Sequence, residues 1–162
     1  MIQIIPYQKA DEQQVIDLIL DIQQNEFQVP ITINEQQDLL DVKNFYCKKN
    51  GNFWVAKIKD EVIGTIGLID ISNGKSALRK MFLKATYRGK EFGIGQKLLD
   101  VLIEWCMEKG IDEIYLGTRD QLTAAIKFYL RNGFLEVEKT MLPQSFPVME
   151  VDNRFFILKL GY

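Results

Sequence analysis

Tyr87-Arg88-Gly89-Lys90-Glu91-Phe92-Gly93-Ile94-Gly95-Gln96-Lys97-Leu98-Leu99 is the stretch that decides how this chain folds. A strand ending near Leu83 leads into it, and a long amphipathic helix leads out. Gly93 and Gly95 let the backbone pass close to a ligand, and the helix that follows offers unpaired N–H groups at the positive end of its dipole. A phosphate or pyrophosphate is the natural occupant of such a turn.

Two other phosphate motifs do not fit. A dinucleotide fingerprint needs a third small residue where Leu98 stands, and an acidic ribose partner about 20 residues on that has no clear counterpart here. Asn73-Gly74-Lys75-Ser76 ends like a P-loop, but Ile69 occupies the first glycine's place and a strand follows where a helix is required. That stretch reads as a turn.

Upstream of the glycine turn, residues 53–59, 62–71 and 76–83 are β-branched and aromatic runs. Turns at Asp60-Glu61 and at Ser72-Asn73-Gly74-Lys75 make them an antiparallel meander. Earlier still, residues 2–5 read as a strand closed by Pro6. From Asp11, Val15, Leu18, Ile19 and Ile22 recur at helical spacing, and a capping box at Asn34 and Gln37 opens a second helix with Leu39, Val42 and Phe45 on its apolar stripe. Downstream, Leu98, Leu99, Leu102 and Cys106 mark the buried side of the helix after the turn, which Gly110 stops. Residues 111–117 form a strand reached through that helical crossover, so it should lie parallel to the strand before the turn. A helix over 123–132 ends at Gly133. Residues 134–138, a loop with Pro143 and Pro147, and a strand over 154–160 complete the chain.

The predicted fold class is therefore mixed α/β. It has a central, mostly antiparallel twisted sheet of about seven strands, one parallel pair and about four helices. With 162 residues and 47% hydrophobic content, the chain can bury one substantial core and has little room for a second, which predicts a single domain over 1–162. Lysine plus arginine number 20 against 22 acids, so no basic field argues for a nucleic-acid partner. A basic leader with an apolar core is missing, and no apolar run approaches the roughly 20 residues of a membrane span, so a cytoplasmic protein with no membrane partner is expected. Cys47 and Cys106 are too few and too far apart for a zinc site or a disulfide framework. With no histidine, Ser-His and Cys-His pairs and histidine-ligated metals are all excluded.

The glycine turn resembles the pyrophosphate loop of the GNAT superfamily of acyl-CoA N-acyltransferases, whose pattern is Gln/Arg-x-x-Gly-x-Gly/Ala at a helix start. Gly93 and Gly95 match its last two fixed positions and Lys90 takes the Gln/Arg place, while Tyr87-Arg88-Gly89-Lys90 looks like the usual approach with Glu91 and Phe92 added. The order of elements is also that of the superfamily. Ala125-Ile126-Lys127-Phe128-Tyr129-Leu130-Arg131-Asn132-Gly133-Phe134 is similar to its Ala-x-x-x-Tyr-x-x-x-Gly-Phe segment. Leu122 departs from the pattern, standing where many members carry an asparagine that faces the cofactor.

The resemblance implies an N-acetyltransferase that uses acetyl-CoA as co-substrate and transfers the acetyl group directly to a primary amine of a small molecule or peptide. It implies a parallel pair splayed at the cofactor site. Backbone at Met81, Phe82 and Leu83 would face the pantetheine arm and the developing oxyanion, and Arg88, Gly89, Lys90, Gly93, Ile94, Gly95 and Gln96 would surround the diphosphate. On spacing alone Met81, Phe82 and Leu83 are core strand residues, which is compatible because backbone does the binding. Tyr129 is the candidate general acid: a phenol with an ordinary pKa of about 10 stays protonated at neutral pH and can donate to a thiolate. On spacing alone it is equally a core aromatic beside Phe128.

No base is assigned. Many members of the superfamily use a glutamate on the strand before the loop, but residues 77–83 contain no acid, leaving Glu26, Glu35 and Asp70 as alternatives acting through water. The acceptor pocket is expected from the loops 26–34 and 141–153, the second of which also suits a homodimer contact. A non-catalytic acyl-CoA-binding or protein-interaction module on the same fold is the alternative reading, motivated by the absent strand glutamate and asparagine. A nucleotide-binding domain of another family is disfavoured by the antiparallel meander.

Overall fold

The computed structural model describes residues 1–161. Its strands are β1 (Ile2–Pro6), β2 (Asn52–Ile58), β3 (Glu61–Ser72), β4 (Lys75–Leu83), β5 (Glu113–Thr118), β6 (Leu135–Val137) and β7 (Arg154–Lys159). They form one sheet in the order β1-β2-β3-β4-β5-β7-β6. Every neighbouring pair is antiparallel except β4 and β5, as the helical crossover demands. The helices are α1 (Glu12–Leu20), α2 (Gln37–Leu40), α3 (Val42–Tyr46), α4 (Ile94–Lys109) and α5 (Thr123–Arg131).

Period-two alternation sends successive strand residues to opposite faces, and both faces are covered. Trp54 and Ala56 of β2 face α4 and α5, where Leu98, Leu99, Leu102, Cys106 and Ile126 are buried. Phe53 and Val55 face the other way, against Val15, Ile19, Leu39, Val42 and Tyr46 of α1 to α3. Leu98, Leu99 and Leu102 are inaccessible to solvent, each contributing about 1.5–3 kcal/mol of burial. A smaller cluster joins Ala77 of β4 and Tyr115 of β5 to Phe146 of the C-terminal loop.

Local details differ from expectation where short-range polar chemistry decides. The expected second helix is two short ones, because Asp41 leaves helical geometry at φ −153° and ψ 60°, and the helix count becomes five among the described residues. That break buries Tyr46 and leaves Phe45 exposed. The capping box forms at Thr32 and Glu35, around the turn Ile33–Glu35, whereas Gln37 donates its amide to the Asn34 carbonyl at 2.8 Å. Helix α1 runs on as wider π turns over Asp21–Glu26. The first hairpin turns at Lys59-Asp60, one residue early, with Lys59 at φ 55°. Strands β6 and β7 are shorter than read, at Leu135–Val137 and Arg154–Lys159. Among the described residues, no helix is long and apolar enough to cross a membrane.

Candidate active site

Strands β4 and β5 pair only at Lys75–Glu113, Ser76–Ile114 and Ala77–Tyr115. Beyond Ala77, β4 stays bonded to β3 as far as Leu83, and beyond Tyr115, β5 stays bonded to β7 as far as Thr118. The two facing edges thus diverge into a wedge with open backbone groups. A bulge in β4 explains the divergence: between the Gly67–Arg79 and Thr65–Phe82 pairs, β4 uses one residue more than β3, which bends the strand. The bulge residue, Lys80, has φ 55°, a left-handed conformation costing a non-glycine residue about 1–3 kcal/mol.

Several contacts hold it there. Thr65 Oγ1 donates to the Lys80 carbonyl at 2.7 Å. Lys80 Nζ donates to Gln36 Oε1 at 2.7 Å and lies 3.7 Å from Asp38 Oδ2, which also accepts the Tyr46 hydroxyl at 2.5 Å. Burial pushes the Lys80 ammonium pKa down, with Asp38 opposing it, and burial together with Asp38 pushes the Tyr46 phenol up.

The glycine turn lies at the N-terminus of α4. Gly93 caps that helix at φ 64°, and the first backbone bond across the cap runs from Lys97 N to Gly93 O at 3.1 Å. The N–H groups of Ile94, Gly95 and Gln96 therefore have no intrahelical acceptor. Gly89, at φ 120°, accepts from the N–H groups of Phe92 and Gly93, both at 3.3 Å. Lys90 is exposed, whereas Ile94 turns its side chain into the core. Arg88 is spoken for: its Nε donates to the Leu83 carbonyl at 2.8 Å, and its guanidinium forms a bidentate pair with Glu26. What Arg88 offers the turn is main chain. Gln96 bridges helices, its amide donating to Asp100 and to Asn132 at 2.8 Å each.

Met81 joins the turn to Tyr129. The Tyr129 hydroxyl donates to Met81 Sδ at 3.8 Å, and a Cβ built on Gly95 would meet Met81 Cε at 3.8 Å and the Phe128 ring at 3.9 Å. Helix terminus, strand β4 and helix α5 thus meet at one place. Phe82 packs against the α1 to α3 cluster, and Leu83 against α4. Tyr129 is buried among Phe128, Phe134 and Phe156. Burial, and secondly Asp152, push its phenol above the ordinary tyrosine range.

Asp152 is a candidate that sequence reasoning missed. Its neighbour Asn153 pins the segment beside β5: Asn153 N donates to Thr118 O at 2.9 Å, and the Asn153 side-chain Oδ1 accepts from Asp120 N at 2.9 Å. Its carboxylate rests on Gly117, where an added Cβ would lie 2.7 Å from Asp152 Oδ2. Leu116 points to the face that holds Tyr129, so Gly117 and Asp152 lie on the other face of the wedge. Burial pushes the Asp152 carboxyl up, with Arg79, Arg119 and Lys80 opposing. The signal available in sequence was an acid within the loop 141–153 and a glycine in a strand, but only the tertiary register brings them together. The three acids considered from sequence are occupied locally: Glu26 by Arg88, Glu35 by Thr32, and Asp70 by the N–H groups of Asn50 and Ser72. Two open clefts lie near the loops expected to form the acceptor pocket: one of about 570 Å³ over Gln24 to Thr32, and one of about 630 Å³ lined mostly by Glu136 to Lys139, which the loop 141–153 reaches only with Asp152 and Asn153.

The fold is that of solved GNAT-family acetyltransferases. The chain belongs to the acetyltransferase (GNAT) family, whose sequence model matches residues 16–134. A crystal structure of a GNAT-family acetyltransferase from Staphylococcus aureus Mu50 is similar at TM-score 0.95 and 44% identity, covering 99% of this chain and 100% of that one. The PaiA N-acetyltransferase of Thermoplasma acidophilum, solved in complex with coenzyme A, shares the fold at TM-score 0.74 and 20% identity, over 98% of this chain and 99% of its own. Among curated proteins, a probable N-acetyltransferase camello of Xenopus tropicalis is 28% identical over 109 residues, 67% of this chain and 50% of its own length. The chain spans about half the length of the first curated relatives it matches.

Proposed function

We propose that the chain, acting as one domain, transfers the acetyl group of acetyl-CoA to a primary amine by direct attack. The observation that carries this reading is the wedge between β4 and β5, with the Tyr129 hydroxyl and Met81 meeting 3.8 Å apart beside the start of α4. Main-chain N–H groups of Ile94, Gly95 and Gln96, with the turn from Arg88 to Gly93, receive the diphosphate. The open edge of β4 at Met81 to Leu83 receives the pantetheine arm and polarises the thioester carbonyl. Asp152 takes a proton from the acceptor ammonium. The neutral amine then attacks the carbonyl carbon, the C–N bond forms, the C–S bond breaks, the departing thiolate takes the phenolic proton of Tyr129, and the extra proton on the acetylated nitrogen passes to water, from which the Tyr129 phenolate is reprotonated. Base and acid stand on opposite faces of the wedge, which suits a transfer running through it. Exposed Leu135, Met141, Val148 and Val151 support a homodimer contact along the C-terminal segment.

The test is thiol release from acetyl-CoA with a panel of primary amines, run beside calorimetry of acetyl-CoA binding. Release with at least one amine is expected. Tight binding without release from any amine would favour the non-catalytic module. Asp152→Asn should lower kcat/KM about 10²-fold at neutral pH, the lower end for a lost general base because water can relay the proton. It should also abolish the acid limb of the pH–rate profile. In the wild type, activity rises as Asp152 ionises, at a pH above the usual aspartate value because burial holds the proton on. A profile unchanged by the substitution would remove Asp152 from the mechanism.

A further inference from the structure

Arg88 leaves the glycine turn with its side chain held on two sides. Its Nε donates to the Leu83 carbonyl at 2.8 Å, where β4 ends, and its two terminal nitrogens grip the Glu26 carboxylate, Nη2 at 2.8 Å from Oε1. Its guanidinium carbon lies 6.0 Å from the centre of the Phe27 ring. Glu26 and Phe27 open the loop 26–34, the first of the two expected to wall the acceptor pocket. That loop is folded tightly on the π turns of Asp21–Glu26: Phe27 N donates to Ile22 O at 3.0 Å, Val29 N to Gln23 O at 2.8 Å and Gln24 Nε2 to Ile31 O at 2.7 Å, around Gln28 at φ 54°. A second anchor lies on its other side. Gln23 and Gln36 exchange amide hydrogen bonds at 3.0 and 2.8 Å, and Gln36 accepts from Lys80 at the β4 bulge. The loop is therefore tied to β4 through Gln36 at Lys80 and through Arg88 at Leu83, which bracket the open edge at Met81 and Phe82.

The two ties differ in kind. Lys80 is buried and fixed by the fold, whereas Arg88 belongs to the turn that receives the cofactor. A fully solvated ion pair would transmit little, but a bidentate guanidinium–carboxylate pair is geometrically exacting, and here the two side chains are only 36% and 33% exposed, with Arg88 Nε fixed on Leu83 as well. Whatever fixes the main chain at Arg88 therefore also fixes Glu26 and the loop that follows it. Resting on the acetyl-transfer reading above, we infer that Glu26 and Arg88 are positioning residues for the acceptor: their pair couples the glycine turn to the loop 26–34, so that a diphosphate seated on the turn steadies the acceptor wall. Neither side chain touches the reacting atoms. Their loss lets the wall loosen, which weakens acceptor binding and leaves the chemical step alone.

The experiment uses the full chain, coenzyme A as the probe, and Glu26→Gln, Arg88→Gln and the double variant. Amide hydrogen exchange over residues 27–32 is read with and without coenzyme A, and acceptor KM and kcat are read by thiol release with whichever primary amine the wild type turns over fastest. In the wild type, coenzyme A should slow exchange over 27–32 about fivefold or more. In Glu26→Gln that response should vanish, while coenzyme A still binds and still slows exchange at Ile94 to Gln96. Each single substitution should raise acceptor KM about fivefold or more with kcat within about twofold, and the double variant should be no worse than the worse single, because both remove one interaction. A coenzyme A response that survives Glu26→Gln, an acceptor KM unmoved by it, or single effects that multiply in the double variant overturns the inference, while thiol release leaves the acetyl-transfer reading standing. If no amine releases thiol but the exchange response is present in the wild type and lost in Glu26→Gln, the coupling stands and the acetyl-transfer reading falls. No binding of coenzyme A overturns both.

Discussion

Tyr129→Phe should lower kcat by about 10²–10⁴ while acetyl-CoA affinity changes by no more than about twofold. The hydroxyl is the group that matters, because a phenylalanine ring keeps the edge contacts with Phe128 and Phe134 and the packing on Phe156. In the resting protein that hydroxyl donates to a thioether sulfur at 3.8 Å, a weak acceptor, so losing it should cost stability less than about 1 kcal/mol. The thermal midpoint therefore separates lost chemistry from lost folding. Burial and the nearby Asp152 carboxylate both hold the phenol in its protonated form at neutral pH, which a proton donor to a thiolate requires. An unchanged kcat would remove Tyr129 from the reaction.

Asp38→Ala should be the most destabilising substitution near the site, by about 3–5 kcal/mol. It strands the Lys80 ammonium in a buried setting with Gln36 as its remaining contact, and it removes the acceptor of the buried Tyr46 hydroxyl. The expected readout is a lower midpoint in urea unfolding, together with a fall in kcat because Lys80 is the residue that bends β4 away from β5. The pH dependence has a definite sign. Burial already depresses the folded-state pKa of Lys80, and removing Asp38 depresses it further, so the unfolded state binds more protons. The deficit should shrink as pH rises toward the ordinary lysine value of about 10.4. Replacing Lys80 by Met as well should recover much of the lost stability, since the uncompensated charge goes with it. An unchanged urea midpoint in Asp38→Ala would mean that the pair does not hold the bulge.

Much of this architecture was legible in the chain because its long elements are strongly periodic. The helix from Ile94 carries an unbroken apolar stripe ended by a left-handed Gly110, and the meander before it is a run of β-branched residues broken by turn chemistry. The parallel pairing of β4 with β5 followed from the helical crossover. The helix break at Asp41 was not legible, because a single residue's backbone preference outweighs a continuous apolar pattern only when the surrounding packing is known. Side-chain destinations were harder still. Arg88 sits in the loop motif, yet its guanidinium is held by Glu26, 62 residues earlier in the chain. Asp152 gains its place from the register of β5 and β7, which brings a C-terminal loop over Gly117. Long-range charge pairing leaves no local periodicity to read.

The central claim is tested most directly by a crystal structure of the chain bound to coenzyme A. The account predicts diphosphate oxygens about 3 Å from the main-chain nitrogens of Ile94, Gly95 and Gln96, with the sulfur next to the Tyr129 hydroxyl between the diverging ends of β4 and β5. A nucleotide lodged elsewhere, or β4 and β5 zipped together past Ala77 and Tyr115, would contradict it.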